Sequence, residues 1–134
     1  MLRIVIDTNV VVSALLTQNG NAAKIIDMIF TEHFEPVYND KILSEYSEVI
    51  ARARFGFGIE DQNRVIVGIR EYGVSIDPTH SSDVFADESD RIFYDTAKAA
   101  NALLVTGNVR HFPDETCIVS LAECVRLLVD PLTE

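Results

Sequence analysis

Five short apolar runs, at about residues 2–6, 34–38, 73–77, 102–106 and 116–119, alternate with segments of helical period, and this alternation limits the chain to few folds. The helical segments cover about residues 9–16, 21–32, 40–54, 60–72, 89–100 and 120–128. A helix between successive strands returns the chain to the same end of the sheet, so the pattern predicts an α/β fold: a three-layer α/β/α sandwich around a mainly parallel sheet of about five strands. With 134 residues, 48% of them apolar, the chain is expected to form one domain over residues 1–134. No run approaches the length of a membrane span, and the amino terminus lacks the pattern of a signal peptide, so a cytoplasmic protein is expected. Cys117 and Cys124 have no metal-ligand spacing, and in a reducing compartment they are expected to remain unpaired.

The first run, Leu2 to Ile6, leads directly into Asp7-Thr8-Asn9. A carboxylate at the carboxyl end of a buried strand must be hydrated, hydrogen-bonded or paired with a metal, because burying it alone costs several kcal/mol. That edge of a parallel sheet is also where such folds build their sites. The fourth run, Ala102 to Thr106, ends in the polar turn Gly107-Asn108 followed by Val109-Arg110-His111. If the two strands are adjacent, Asp7 and the Thr106–Asn108 turn are neighbours.

Two further acids are candidates to join them. In the segment around Lys41 to Ala53, Ile42, Tyr46, Val49, Ile50 and Ala53 form one helical stripe. Glu45 falls about 85° from its centre, at the border of the core, whereas Glu48 projects nearly opposite and faces water. Asp90 stands at the start of the next helix, three residues after Asp87, a spacing that resembles a capping box; Asp95 turns toward the polar side. Thr8 and Asn9 read either as caps of the first helix or as groups orienting Asp7. Asp77 to Asp83 is the longest irregular polar stretch and suits a loop near a site.

The net charge of −10 argues against nonspecific nucleic-acid binding, but not against a nuclease whose acids gather around divalent cations. Ile6-Asp7-Thr8-Asn9-Val10 with Ser13, Ser44 to Val49, Asp90 to Ala97, and Leu104-Val105-Thr106-Gly107-Asn108 with His111-Phe112-Pro113 occur in the order and spacing of a known family. Through them the chain resembles PIN-domain proteins, in the small prokaryotic group of VapC-like toxins of toxin–antitoxin systems. The resemblance implies a metal-dependent endoribonuclease that leaves 5′-phosphate and 3′-hydroxyl ends, with Asp7, Glu45 and Asp90 as metal-binding and catalytic acids. It also implies a homodimer and an antitoxin partner that occludes the cleft.

One position departs from the family pattern: Asn108 stands where many members have a fourth aspartate. An amide oxygen can ligate a cation but brings no charge, so a second ion should be held less tightly. Asp87, Glu88 and Asp114 are the nearby acids that could compensate. An oxygen-only set suits Mg²⁺ or Mn²⁺ rather than zinc. Thr8, Asn9 and Thr106 would orient Asp7 or a ligand water. Arg52, Arg54, Arg91, Arg110 and His111 are candidates to contact RNA phosphates, Arg110 and His111 being the best placed.

Two other readings stand beside this one. A phosphatase of the haloacid dehalogenase type also ends its first strand in an aspartate, but places a second one where this chain has Asn9, and Lys98 lies inside a helix rather than at its start. An interaction module that keeps the fold without turnover is the non-enzymatic alternative, and Asn108 favours it. The apolar pattern Leu121, Cys124, Val125, Leu127 and Leu128 is expected to face the core rather than a dimer partner.

Overall fold

The computed structural model describes residues 1–129, with the side chains of Leu128 and Val129 excepted. Its elements are β1 (Leu2–Ile6), α1 (Thr8–Leu16), α2 (Asn21–Phe30), β2 (Phe34–Tyr38), α3 (Asp40–Ile50), α4 (Ile59–Tyr72), β3 (Val74–Ser75), α5 (Arg91–Ala100), β4 (Leu103–Val105), β5 (Ile118–Val119) and α6 (Leu121–Val129). Short 3-10 turns at Glu88–Asp90 and Val109–His111 precede α5 and follow β4.

The five strands form one sheet in the order β3-β2-β1-β4-β5, and every pairing is parallel. The chain lays β2 and β3 on one side of β1, then crosses to the other side for β4 and β5. Between β1 and β4 the winding therefore reverses, and ligand crevices of open parallel sheets form at such a point. The register sets Ile6 beside Val105, which brings the residues that follow them, Asp7 and Thr106, to the same edge. The two strands are thus adjacent, the condition that sequence alone left open.

Helix α5 lies across β1, β2 and β4, while α2 packs with α1, α4 and α6. Because parallel crossovers are right-handed, reversal of the winding direction sends the helices to opposite faces, giving three layers. Ile4, Val5, Ile6, Phe34, Leu104 and Val105 are almost wholly buried, so the central strands are covered on both faces. No helix among the described residues is long and apolar enough to cross a membrane.

Several local expectations are corrected. Helix α3 ends at Ile50, not near residue 54, so Ala53 is exposed beyond the helix rather than part of its stripe. The chain there turns toward α4 through Gly56, whose φ of 63° is one that glycine adopts without strain. Leu127 is exposed, whereas Cys124 is fully buried and Leu121 and Val125 pack on the core. At about 100° per residue, Leu127 lies roughly 110° from the centre of the stripe those three residues form. Leu128 falls among the side chains outside the described residues. Both cysteines are free, and burial pushes the Cys124 thiol up to about 12.

Gly73 joins α4 to β3 where no side chain fits. A Cβ there would stand 2.4 Å from the Pro36 carbonyl oxygen and 2.5 Å from that of Ile69, both backbone atoms that cannot move aside. Gly73→Ala is therefore expected to destabilise the fold by about 1–3 kcal/mol, read as a lower urea midpoint. An unchanged midpoint would show that β3 can shift without loss.

Candidate metal and nuclease site

Asp7 lies just past β1, and its backbone N–H still donates to the Val105 carbonyl at 2.9 Å, which fastens it to β4. Its side chain caps α1: Oδ1 accepts from the Thr8 amide at 2.8 Å, and Oδ2 accepts from Thr106 Oγ1 at 2.8 Å. Asn9 approaches the same Oδ2 at 3.4 Å and accepts from the Gly107 amide at 3.1 Å, tying the two strand ends together. The cap is thus Asp7 itself, and Thr8 and Asn9 do not cap with their side chains. The carboxylate is only 7% exposed. Burial raises its pKa, while hydrogen bonds from Thr106 and Thr8 and the nearby His111 oppose that rise.

Glu45 comes from α3, whose start is fixed by Asn39: its Oδ1 accepts from the Ile42 amide at 3.1 Å, and its Nδ2 donates to Thr96 Oγ1 at 2.9 Å and to the Ile76 carbonyl at 3.1 Å. One buried amide thereby joins α3, α5 and the segment after β3. Tyr46 is fully buried and its hydroxyl donates to the Ile6 carbonyl, holding α3 against the end of β1. Glu45 is half-buried, as its helical position predicts, and its carboxylate accepts from the Thr8 hydroxyl. Glu48 faces solvent and pairs with Arg52 at 2.9 Å.

Asp90 is positioned differently from the sequence expectation. Asp87 caps the 3-10 turn by accepting from Ser89, and the Asp90 side chain makes no capping hydrogen bond. The extra 3-10 turn displaces the capping-box register and leaves the Asp90 carboxyl free to face the site. Its side chain is 14% exposed, with Oδ2 standing 3.7 Å from His111 Nδ1. Burial, then the charges of Asp7 and Asp87, push its pKa up to about 6; His111 acts against them and Glu45 adds to them. The three acids, drawn from β1, α3 and α5, therefore lie within electrostatic reach of one another.

Other candidates divide. Asn108 is exposed, and its backbone N–H donates to Thr106 Oγ1 at 3.0 Å. Arg110 is exposed beside His111. Arg91 is no phosphate contact: it binds Glu88, Ser81 and the Asp83 carbonyl, lies over Phe85, and clamps the 77–87 loop. Asp95 is buried, not turned to the polar side, and its Oδ2 accepts from the Ser81 amide at 3.0 Å from the same loop. The loop occupies what would be open solvent over that face of α5. Among Asp87, Glu88 and Asp114, only Asp87 acts on both Asp7 and Asp90; Glu88 is committed to Arg91. Asp77 and His80 of the loop share a cleft of about 660 Å³ with Glu45.

The donor set is oxygen only, and burial, ahead of neighbouring charges, shifts the Asp7 and Asp90 carboxyls upward. Chemically it fits a hard divalent ion. Among the described residues, however, no three Asp, Glu, His or Cys side chains stand ready-grouped around a metal position. Thr8 occupies the Glu45 carboxylate in the present arrangement.

A parallel α/β/α sandwich with acids at its winding reversal is an architecture shared by proteins of many functions, and comparison with known proteins narrows it. The PIN-domain family model matches residues 3–110. The chain is 31% identical over 110 residues to the uncharacterized protein MJ1680 of Methanocaldococcus jannaschii, covering 80% of this chain and 71% of that one. Its fold is similar to one in the crystal structure of VapBC2 from Rickettsia felis bound to a DNA fragment from their promoter, with a TM-score of 0.56 and 16% identity over 89% of this chain and 97% of the other. The chain belongs to the PIN-domain family, a nuclease family. The phosphatase alternative loses its support, since Asn9 serves here to join Asp7 to Gly107.

Proposed function

We propose that the protein is a Mg²⁺- or Mn²⁺-dependent endoribonuclease and the toxin component of a toxin–antitoxin pair. The observation that carries this reading is that Asp7, Glu45 and Asp90, from three separated segments, are tied to one edge of the sheet: Thr8, next to Asp7, bonds Glu45, and His111 of the turn after β4 stands 3.7 Å from Asp90. Asp7, Glu45 and Asp90 would hold a divalent ion, which when bound would supply an activated water and neutralise charge on the phosphodiester. Asp7 is held for this by the Thr8 amide and the Thr106 hydroxyl, which fix its orientation without supplying positive charge. Glu45 would exchange its Thr8 partner for the ion, and Asp90 must be deprotonated to bind. Asn108 offers a neutral oxygen at the rim. His111, beside Asp90, is placed to meet a phosphate oxygen, with Arg110 next to it. Family resemblance supports departure of the 3′ oxygen, which leaves 5′-phosphate and 3′-hydroxyl ends.

The similarity of the fold to a VapBC complex supports an antitoxin partner, and family resemblance supports a homodimer. Cytoplasmic RNA is the proposed substrate.

A second reading, the inert interaction module, draws on the lack of a ready-grouped metal cluster and on Asn108. Incubation of the pure protein with single-stranded RNA separates the two. Endonucleolytic cleavage with Mn²⁺ or Mg²⁺ that EDTA stops, and fragments carrying 5′-phosphate, are expected. Intact RNA after incubation with folded protein at millimolar Mn²⁺ would establish the module instead.

A further inference from the structure

A second cleft, of about 600 Å³, is lined by Thr8 and Glu45 and also by Arg52, Arg54 and Phe55 of the segment joining α3 to α4. The loop carries a small aromatic stack. Phe57 packs on the core, and its carbonyl accepts from Gln62 Nε2 at 2.9 Å, so its position is fixed. Phe55 lies against it with ring centroids 5.2 Å apart and planes 5° from parallel. The Arg54 guanidinium stands 4.8 Å from the Phe55 centroid. Arg52 is bound by both oxygens of Glu48, whereas Arg54 has no carboxylate partner among the described residues.

In a chain of net charge −10, an unpaired arginine beside an aromatic stack, on a cleft that opens into the acid site, suits a ligand that is anionic and planar in alternation. We propose that this loop is a single-strand RNA platform: one nucleotide next to the scissile phosphate places its base against Phe55 and its phosphate on Arg54. Stacking on aromatic and guanidinium planes tolerates any base but requires an unstacked one, so the platform selects single strands over duplex. The inference rests on the ribonuclease reading and adds to it a substrate conformation.

The protein contains no tryptophan, so Phe55→Trp introduces a single indole at the platform. On the cleavage-deficient Asp7→Asn background, a short single-stranded oligoribonucleotide should quench its emission saturably, and the duplex of the same sequence should not. In the same background Phe55→Ala and Arg54→Ala should each weaken single-strand binding, measured by fluorescence anisotropy, by about 5- to 100-fold. In the wild-type background both variants should keep the thermal shift induced by Mn²⁺. If the wild-type protein cleaves RNA while the Phe55→Trp emission and the two affinities stay unchanged, the platform is refuted and the nuclease reading stands. If emission depends on protein concentration without RNA, the loop contacts a second copy and the platform is refuted. If RNA is neither bound nor cleaved, both readings fall together.

Discussion

Asp7→Asn is expected to lower metal-dependent RNA cleavage by more than about 100-fold while leaving the fold intact. The amide keeps the shape of the carboxylate. Its oxygen can still accept from the Thr8 amide, so α1 retains a good cap, and its nitrogen can donate to Thr106 Oγ1. Burial of the charge already works against the native residue, so removing that charge should change stability by no more than about 1 kcal/mol. What is lost is the anion proposed to hold the metal ion. Far-UV circular dichroism and thermal melting would verify the fold, and a gel assay the cleavage. Equal cleavage by the two proteins would place the active acid elsewhere, or assign the activity to a contaminant.

Asp90→Asn should raise stability. The Asp90 carboxyl, raised to about 6 in the folded protein, has an ordinary value of 3.8. Between those values the folded state binds more protons than the unfolded one. Stability without metal is therefore greatest below pH 3.8 as far as this group is concerned, and its contribution is lost as pH rises through about 6. At pH 8 the native anion is destabilising by on the order of 1–3 kcal/mol, and the neutral amide removes that cost. Without metal, Asp90→Asn should melt roughly 3–10 °C higher than the native protein at pH 8 and nearly level with it at pH 4. Millimolar Mn²⁺ should stabilise the native protein at pH 8 and much less at pH 5, where the ion must displace a proton; the variant should show little stabilisation at either pH. A native protein that melts at the same temperature with and without Mn²⁺ at pH 8 would contradict a metal role for Asp90.

The sheet was legible because its information is periodic. Two buried runs, Leu2–Ile6 and Ala102–Thr106, imply strands covered on both faces, and in a parallel sheet their carboxyl ends share an edge. The contact between Asp7 and Thr106, 99 residues apart in sequence, follows from that rule. Glu45 was legible from its angle on α3. The environment of Asp90 was not, because Asp87-Glu88-Ser89-Asp90 supports two helix starts one short turn apart, and only tertiary packing selects the 3-10 turn. Asp95 was misread for a related reason: helical period assigns it to the polar side, but the 77–87 loop folds back over that side and hydrogen-bonds both to it and to Arg91, which sequence offered as a phosphate contact. A loop without period cannot be placed by a method that reads period. Asn39 and Tyr46, which hold α3 against neighbouring elements, likewise reach partners 57 and 40 residues away, with no local pattern to announce them.

The winding reversal between β1 and β4 has a consequence during synthesis. Asp7 leaves the ribosome almost a hundred residues before Val105, which fastens its backbone, and Thr106, which orients its side chain. Until β4 pairs with β1, a growing chain carries its acids without their scaffold, and no partial product has a complete site. The site therefore assembles only with the β1–β4 pairing, and not segment by segment.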